Sequence, residues 1–189
     1  MTGAAPGAAP PGWGPRVGLG VDVHGFGGPG PLRLGGVVVP HPVGLIGHSD
    51  GDALCHAVAD AVLGAAGLPD LGHHFPSADP ATRGADSTAL LRHAARLTAA
   101  AGWVVGNCDA TVVAEAPRLG PHVVEMGRAL ADALGVEPGR VSVKAKSSDG
   151  LGLVGRGEGV VALATVCLVR ESAPMAPGRG PRGAGRDGG

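Results

Sequence analysis

The sequence has few cysteines and almost no excess charge. Its three cysteines, Cys55, Cys108 and Cys167, are odd in number, far apart and set in apolar stretches. This pattern argues against a disulfide framework and favours reduced thiols in a cytoplasmic core. A formal net charge of −1 provides no overall field that would draw the chain onto nucleic acid or an anionic membrane.

Signals for membrane insertion and export are also missing from the sequence. No stretch is an uninterrupted apolar segment of membrane-spanning length, and the N-terminus has no basic segment followed by an apolar one. The C-terminal run GRGPRGAGR is interpreted as a solvated tail rather than an RNA-binding segment, because it carries so few charges. The sequence therefore predicts a cytoplasmic protein without nucleic-acid or membrane partners.

Glycine and proline, by contrast, are abundant, and they are concentrated at both ends of the chain. The 189 residues include 36 glycines and 17 prolines. The segments 1–15 and 172–189 are rich in Gly, Pro and Ala and cannot bury enough apolar surface to become ordered. We therefore predict two disordered tails around a single folded domain at 16–171, which is long enough to bury a core.

Within that segment, hydrophobic periodicity predicts strands that alternate with helices. Strands are expected near 16–24, 32–39, 103–116, 141–148 and 160–169, and helices within 47–67, 85–102 and 121–135. The expected caps are Ser49 or Asp50 for the first helix and Asp86 or Ser87 for the second, with Gly67, Gly102 and Gly135 at the C-terminal ends. The run 160–169 is apolar on both faces, as a central strand would be. This order predicts an α/β fold, an α+β sandwich in which a mixed sheet packs on helices.

One motif suggests nucleotide binding, but its context does not support that function. The sequence GLGLVG at 150–155 matches the dinucleotide fingerprint G-x-G-x-x-G. That fingerprint requires a following helix whose N-terminus receives the pyrophosphate, whereas a β-branched run follows here. The glycines are better explained by a tight loop or a close approach to a ligand.

The first predicted strand has two very different faces, because successive side chains of a strand point in opposite directions. One face carries Val17, Leu19, Val21 and Val23, and the other carries Gly18, Gly20, Asp22 and His24. The second face is bare until it reaches Asp22 and His24. Taken alone, such a pair is weak evidence for a site, since short motifs recur by chance as simple surface pairs.

The first predicted helix adds a third candidate ligand. Asp52, His56 and Asp60 are spaced so that they share one helical face. The simpler interpretation of His56 is a core histidine that bonds to a neighbour. Together with Asp22 and His24, however, it would form a two-histidine, one-carboxylate site with one open position, which is typical of catalytic zinc and also suits iron or manganese.

Five ordered segments resemble the 2-C-methyl-D-erythritol 2,4-cyclodiphosphate synthase family. They are GVDVHGF, GHSDGDALCHAVADAVLGAAG, PDLGHHFPSADP, AEAPRLGPH and GLGLVGRGEG, and the similarity extends over about 16–170. The resemblance implies a homotrimer with active sites between neighbouring subunits and one zinc ion per subunit, bound by Asp22, His24 and His56. It also implies magnesium or manganese at the substrate diphosphate, with Asp149 as a ligand.

The resemblance implies a reaction as well. The substrate would be 4-diphosphocytidyl-2-C-methyl-D-erythritol 2-phosphate, whose 2-phosphate attacks its own diphosphate to give the 2,4-cyclodiphosphate and CMP in the non-mevalonate isoprenoid pathway. His48 and Ser147 would stabilise the transition state. Substrate binding would involve Asp22, His24, His48, Ser49, Asp70, Leu71, Gly72, Phe75, Pro76, Ser77, Ala78, Asp79, Ala114, Pro117, Arg118, Leu119, Gly120, Lys146, Ser147, Ser148, Asp149, Leu153 and Arg156.

Four of these positions depart from the usual family pattern. Asp149 stands where Glu is usual, Lys146 where Thr is common, Ser77 where Asp is common and Leu153 where Phe is common. The shorter Asp149 keeps a carboxylate, so metal binding is expected to persist.

Several of the implied roles also have simpler structural interpretations. His48 could be a neighbour of a helix cap, and the segment around Asp70 a surface loop of turn-forming residues. Arg118 could be a solvated charge near a helix start. Arg156 and Glu158 could form a surface ion pair that contributes little to stability.

Two other functions remain open at this point. One is a different metal-dependent phosphoryl-transfer or hydrolytic enzyme on the same scaffold, although the segment AEAPRLGPH, which resembles the cytidine-binding segment of the family, argues against it. The other is a non-catalytic trimer that binds zinc or, near Arg156, an isoprenoid diphosphate. The presence of both His48 and Ser147 favours catalysis over simple binding.

Overall fold

The computed structural model describes residues 14–76, 78–79 and 82–170. The tails expected at 1–15 and 172–189 lie outside these ranges apart from Gly14 and Pro15, and the candidate Ser77 also lies outside them. The domain boundaries at 16–171 stay a prediction. Among the described residues, no helix is both long enough and apolar enough to cross a membrane.

The described residues form strands and helices in the following order. The strands are β1 (Arg16–Pro29), β2 (Leu32–Leu34), β3 (Val37–Val39), β4 (Val43–Leu45), β5 (Trp103–Val113), β6 (Val141–Lys146) and β7 (Gly159–Arg170). The α-helices are α1 (Ala53–Ala66), α2 (Leu71–His74), α3 (Ser87–Ala100), α4 (Val123–Leu134) and α5 (Gly152–Gly155). Short 3-10 turns cover Gly120–His122 and Pro138–Arg140.

Five strands form one mixed sheet in the order β4-β1-β7-β5-β6, and β2 pairs with β3 in a separate hairpin. The pair β5 and β6 is parallel, whereas β7 runs antiparallel to both of its neighbours. The prediction of a mixed sheet on helices and of a central strand at 160–169 is therefore confirmed. In this chain, however, the face of β7 that points away from the core leaves Leu163 and Val169 exposed.

Helix α1 lies directly against the backbone of β1, because the facing positions of the strand are glycines. A Cβ atom added at Gly18 would lie 2.0 Å from the Ala61 oxygen, and one at Gly20 would lie 1.9 Å from the Ala57 oxygen. The bare face of the first strand is therefore the core face. The opposite, exposed face carries Val17, Leu19, Val21 and Val23.

Helix ends follow local capping rules in most cases, with one correction. Asp86 caps α3, and Gly67 and Gly135 end α1 and α4 in the left-handed conformation, as predicted. The prediction of Ser49 or Asp50 as the cap of α1 is wrong, because Asp52 takes this position and accepts a hydrogen bond from the Cys55 backbone N–H at 3.0 Å.

Several strand boundaries also differ from the predictions. The segment 32–39 is a hairpin rather than one strand, because Gly35 and Gly36 turn the chain with φ angles of +58° and +75°. β1 continues to Pro29, β4 was not predicted, and β5 and β6 end earlier than expected. The motif at 150–155 forms only the four-residue α5 before β7, so it does not open a long helix that could receive a pyrophosphate.

Candidate metal centre and active site

Asp22, His24 and His56 come together where β1 meets α1. Asp22 and His24 lie two residues apart on the core face of β1, and His56 lies on the face of α1 that packs there. The Asp22 Oδ2 atom is 3.0 Å from Nδ1 of His24 and 3.0 Å from Nδ1 of His56. Each residue offers a ligand atom, and these atoms lie within 4.8 Å of one another. The arrangement is a possible metal-binding site.

The three side chains are largely buried, and their contacts shift two pKa values. Burial opposes ionisation of Asp22, but the imidazoles of His24 and His56 outweigh it and hold the pKa of this carboxyl well below its usual range. Burial also disfavours the charged form of His56, yet its hydrogen bond and charge interaction with Asp22 raise the pKa of His56. The site thus presents an ionised carboxylate at neutral pH, as a metal ligand must be.

A nitrogen of His24 indicates that the group fits a cation. Its Nδ1 atom is buried and has no hydrogen-bond partner among the described residues, because the 3.0 Å approach to Asp22 lacks hydrogen-bond geometry. Buried polar atoms in proteins are normally paired. A divalent cation between this nitrogen, the Asp22 carboxylate and His56 would satisfy it, since nitrogen and carboxylate oxygen together suit zinc.

The second ring nitrogen of His56 is bonded to the predicted substrate-binding residue Ser49 and to Ser87, which was not predicted to belong to the site. Its Nε2 atom lies 2.9 Å from Ser87 Oγ and 3.0 Å from Ser49 Oγ. Ser87 in turn bonds to Asp50 through its hydroxyl and its backbone N–H. Ser87 begins α3, 31 residues after His56, so no local spacing could have connected the two.

The two acidic residues of the predicted polar helix face, Asp52 and Asp60, form hydrogen bonds elsewhere. Asp52 is buried and accepts hydrogen bonds from the backbone N–H groups of Gly35 and Gly36, at 2.8 and 2.7 Å. Asp60 accepts one from the Leu71 N–H at 2.8 Å, and burial raises its pKa. Of this helix face, only His56 joins the metal-binding group.

A pocket opens beside the candidate metal centre. It is lined by His24, His48, Ser49, His56, Leu71, Gly72, Phe75, Thr82 and Leu90. Leu71 and Gly72, which line this pocket, belong to α2. Asp70 does not line the pocket but caps α2 by accepting a hydrogen bond from the His73 backbone N–H at 2.8 Å. His48 Nε2 lies 3.3 Å from the Asp79 carbonyl oxygen, and the exposed Pro76 and Ala78 lie in the same loop.

A second pocket lies at the ends of β5 and β6. It is lined by Ala114, Glu115, Pro117, Arg118, Leu119, Gly120, Ala145, Lys146 and Ser147. Pairing across the sheet aligns Val23, Val161, Val113 and Lys146 in one row. The first and last members of this row are three strand spacings apart, about 14 Å. The two pockets therefore lie at the same end of the sheet, where β1, β5 and β6 finish, but they share no lining residue.

The loop after β6 carries Ser147, Ser148 and Asp149 and is held by Glu115. A single Glu115 oxygen, Oε1, accepts from Ser148 N–H at 2.9 Å, from Ser148 Oγ at 2.8 Å and from Gly150 N–H at 3.1 Å. Asp149 adopts a left-handed φ of 52°, and its Oδ1 accepts from Ser147 Oγ at 3.1 Å. Glu115 was not among the residues predicted to form the site, since only the folded chain brings it to residues 148–150.

Like Asp70, the predicted substrate-binding residues Leu153 and Arg156 line neither of these pockets. Leu153 is partly exposed, and Arg156 forms a two-point ion pair with Glu158, with Nε to Oε1 at 2.6 Å and a terminal nitrogen to Oε2 at 3.1 Å. Both partners are more than half exposed, so the pair is expected to add little to stability.

The fold and the site define a class of protein: a mixed α/β domain with a two-histidine, one-carboxylate candidate metal centre between its first strand and its first long helix. A family model identifies the class more closely. The chain belongs to the YgbB family, whose model matches residues 15–169.

Relatives that align over most of their length have the same name. A protein named 2-C-methyl-D-erythritol 2,4-cyclodiphosphate synthase from Ralstonia nicotianae is 54% identical over 158 residues, which cover 84% of this chain and 94% of the relative. One of the same name from Pseudomonas aeruginosa is 51% identical over 154 residues, covering 82% and 98% of the two chains. The resemblance seen in the sequence is therefore confirmed.

Solved structures agree with this assignment. A CDP-bound 2C-methyl-D-erythritol-2,4-cyclodiphosphate synthase matches with a TM-score of 0.74 at 38% identity, covering 81% of this chain and 99% of that one. A CDP complex of IspF from Plasmodium falciparum matches with a TM-score of 0.73 at 30% identity, covering 84% and 98%.

Proposed function

We propose that this protein converts 4-diphosphocytidyl-2-C-methyl-D-erythritol 2-phosphate to 2-C-methyl-D-erythritol 2,4-cyclodiphosphate and CMP, in the non-mevalonate pathway to isoprenoids. One observation carries the proposal. Asp22, His24 and His56 meet beside a pocket that also contains His48 and Ser49, in a chain that is 54% identical to an enzyme of this name. The cytoplasmic location expected from the cysteine pattern is part of the same proposal.

The reaction makes modest chemical demands on the protein, because the nucleophile belongs to the substrate. An oxygen of the 2-phosphate forms a bond to the β-phosphorus, and the bond from that phosphorus to the bridging oxygen breaks. The bridging oxygen leaves with its electron pair as part of CMP. The chain must therefore fold an anionic substrate back on itself and balance the charge that gathers at phosphorus.

Asp22, His24 and His56 would hold zinc, and Asp149 is the proposed ligand for magnesium or manganese. These ions would supply Lewis-acid polarisation of phosphate oxygens and neutralise the charge of the diphosphate. The shorter side chain of Asp149 still offers a carboxylate, and its contact with Ser147 Oγ keeps that carboxylate beside the proposed stabilising hydroxyl.

The remaining roles belong to polar groups in the two pockets. His48 and Ser49 would donate hydrogen bonds to phosphate oxygens in the first pocket, and Ser147 would donate one from the second. Arg118 and Lys146 add positive charge near the phosphates, while the backbone of the segment from Ala114 to Gly120 would hold the cytidine. The apolar side chains of Leu71 and Phe75 would exclude water, which competes as a nucleophile.

The two pockets also support a homotrimer whose active sites lie between subunits. Within one chain the metal-side pocket and the proposed cytidine pocket are separate, so neither is a complete site. The outer face of β1 is apolar and open, with Val17 at 68% and Leu19 at 66% exposure. Packing this face against copies of the chain would cover it and bring one subunit's metal side to its neighbour's cytidine side, with Leu153 and Arg156 nearby.

Phosphorus NMR of the purified protein with the substrate, zinc and magnesium tests the proposed reaction. We expect the substrate signals to be replaced by those of a cyclic diphosphate and CMP. His24→Ala should abolish this conversion because it removes a proposed metal ligand. His41→Ala is the matched control, since His41 lies against Phe26 with a ring separation of 5.2 Å and lines neither pocket.

Two outcomes would contradict the proposal in different ways. An intact substrate with the native protein would indicate a binding protein rather than an enzyme. Hydrolysis to an open-chain product would keep a metal-dependent enzyme but remove the cyclisation.

A further inference from the structure

We infer that Ser87 is a positioning residue for the metal ligand His56, and that Asp50 acts through Ser87 by holding its hydroxyl group. The inference deepens the proposed function and rests on its metal site. It concerns a contact between α3 and α1 that is separate from the substrate pockets, because neither Ser87 nor Asp50 lines the pocket beside the metal centre.

Ser87 is held in a defined orientation by contacts with Asp50 and His56. It is the first residue of α3 and is only 1% exposed. Its hydroxyl donates a short hydrogen bond to Asp50 Oδ1, and its backbone N–H donates to Asp50 Oδ2 at 3.3 Å. Its Oγ atom lies 2.9 Å from Nε2 of His56. A single carboxylate therefore fixes both the position and the proton of this serine.

The hydrogen-bond directions determine the tautomer of His56. A serine hydroxyl has one proton, and that of Ser87 is directed to Asp50. Ser87 Oγ must therefore accept from His56, which places a proton on Nε2 of the imidazole. The lone pair of the neutral ring is then on Nδ1, the atom that faces Asp22 Oδ2 at 3.0 Å.

This tautomer favours the binding of a cation between His56 and Asp22. In neutral His56 the Nδ1 lone pair and the Asp22 carboxylate oxygen are both acceptors, so at 3.0 Å they need a cation or an added proton between them. A metal ligand histidine commonly has its other ring nitrogen fixed in this way by a partner in the surrounding protein. Ser87 has that position here, and Asp50 keeps it from turning.

Ser49 also approaches His56, but its contacts make it a weaker determinant of the tautomer. Its Oγ atom lies 3.0 Å from Nε2 of His56 and 3.2 Å from Ser87 Oγ. It is only partly buried and lines the substrate pocket, where its hydroxyl has an alternative partner in the substrate. Ser87 has no such alternative because the carboxylate of Asp50 already takes its proton.

Zinc affinity of the metal-stripped full-length protein, measured by competition with a chromophoric chelator, tests the inference without depending on activity. We expect Ser87→Ala to weaken zinc binding 10- to 100-fold, the usual effect of removing a group that orients a metal ligand. Ser87→Thr keeps the hydroxyl and should restore binding. The absorption spectrum of the cobalt(II)-substituted protein should change in Ser87→Ala and not in Ser87→Thr.

Thr98→Val is the matched control. Thr98 carries another buried hydroxyl on α3, and this hydroxyl has no hydrogen-bond partner among the described residues. Its removal should leave zinc affinity and the cobalt spectrum unchanged. Equal losses in Thr98→Val and Ser87→Ala would show a general effect of disturbing α3 and would overturn the inference.

Asp50→Ala provides a second, independent variant, so that poor folding of Ser87→Ala would not leave the question open. It frees the Ser87 proton to bond with Nε2 and should therefore also weaken zinc binding. Because Asp50 acts through Ser87, the double variant should bind no more weakly than Ser87→Ala alone. Additive losses would contradict the proposed role of Asp50.

The two levels of the proposal fail in distinguishable ways. Native zinc affinity in Ser87→Ala, with tight binding by the native protein, would overturn the positioning role and leave the metal site intact. A native protein that binds no zinc would overturn the metal site itself and the positioning role with it.

Discussion

At the scale of single residues, two glycines of β1 decide how closely α1 approaches the sheet. The backbone oxygens of the helix lie where the Cβ atoms of Gly18 and Gly20 would be. Such contacts cannot be relieved by turning a side chain, because the atoms that would clash belong to the backbone. The same close approach brings His56 within hydrogen-bond distance of Asp22.

Gly20→Ala should therefore be strongly destabilising. The new methyl group would lie 1.9 Å from the Ala57 oxygen, so we expect a loss of about 3 kcal/mol or more in the free energy of unfolding. Gly64→Ala in α1 is the control, because nothing lies within 4 Å of its Cβ position, and it should stabilise the helix by about 0.5–1 kcal/mol. Urea unfolding measures both; a small loss for Gly20→Ala would mean that α1 can move away from β1.

The contact between Asp22 and His56 predicts how the stability of the metal-free protein depends on pH. The pKa of Asp22 is lowered, so its contribution is present above the usual value of 3.8 and is lost as the pH falls through its lowered pKa. The pKa of His56 is raised, so its contribution is complete below the usual 6.5 and is lost as the pH rises through its raised pKa. The combined contribution is therefore greatest between about pH 4 and 6.5.

Urea unfolding of the metal-free protein at about pH 5.5 and about pH 8.5 measures this contribution. The native protein should lose more stability between these two conditions than Asp22→Asn, which lacks the charged partner of His56. Equal losses in the two proteins would contradict a stabilising contact.

At the scale of elements, Asp52 connects the β2-β3 hairpin to the start of α1. One carboxylate oxygen accepts from Gly35 and Cys55, and the other accepts from Gly36. This arrangement explains why Asp52, and not an earlier residue, begins the helix. Local sequence offered Ser49 and Asp50 as equally suitable caps, and the hairpin N–H groups decided between them.

Asp52→Asn should cost about 2–3 kcal/mol in the free energy of unfolding. The single oxygen of asparagine can serve Gly35 and Cys55, but its N–H₂ group then faces the Gly36 N–H, so two donors meet beside a buried side chain and the bond to Gly36 is lost. Asp86→Asn is the matched control, because Asp86 is an exposed cap of α3 and asparagine caps helices as well as aspartate does. Calorimetry should show a clear drop in Tm for the first variant and almost none for the second.

The loop after β6 depends on Glu115 in a similar way. Hydrogen bonds from Ser148 and Gly150 lower the pKa of Glu115 and hold residues 148–150 in place. Because Ser147 and Asp149 belong to this loop, Glu115→Ala should lower kcat about tenfold to hundredfold through misplacement of those groups.

Glu115→Gln separates hydrogen bonding from charge in this loop. All three donors bond to the single oxygen Oε1, which glutamine also provides. Its kcat should therefore stay close to the native value. Equal loss of activity in Glu115→Gln and Glu115→Ala would show that the charge, and not the acceptor oxygen, is required.

At the scale of the whole molecule, the outer face of β1 and β7 exposes neighbouring apolar side chains. Val17, Leu19, Val21 and Val23 are each more than half exposed, and Leu163 adds to the same face from β7. Contiguous apolar surface of this kind usually marks an interface. The proposed homotrimer would cover it.

Val21→Asp should dissociate the proposed trimer and abolish activity. A charge in an apolar interface must be desolvated without a partner, and separated chains cannot join the two pockets. Sedimentation analysis should show the mass of three chains for the native protein and of one chain for the variant. Val38→Asp, which alters an exposed valine of β3, is the control and should stay trimeric. A native protein with the mass of one chain would contradict the shared-site arrangement.

Local rules were sufficient for much of this protein. The alternation of a strand placed Asp22 and His24 on one face, and helical spacing indicated His56 as a third ligand. Asp86 caps the start of a helix, and Gly67 and Gly135 end helices, as their chemistry predicts. These features depend on a few neighbouring residues, which the sequence alone displays. The ordered segments also carried the family resemblance, which the comparisons confirmed.

Only the tertiary structure decided which groups from distant segments meet. It buried the glycine face of β1 and exposed the valine face, because an alanine-rich helix packs closely on a backbone without side chains. It brought Ser87 to His56 and Glu115 to the loop after β6, across separations of more than 30 residues. Contacts of this kind depend on how helices and strands pack, and no local periodicity encodes that packing.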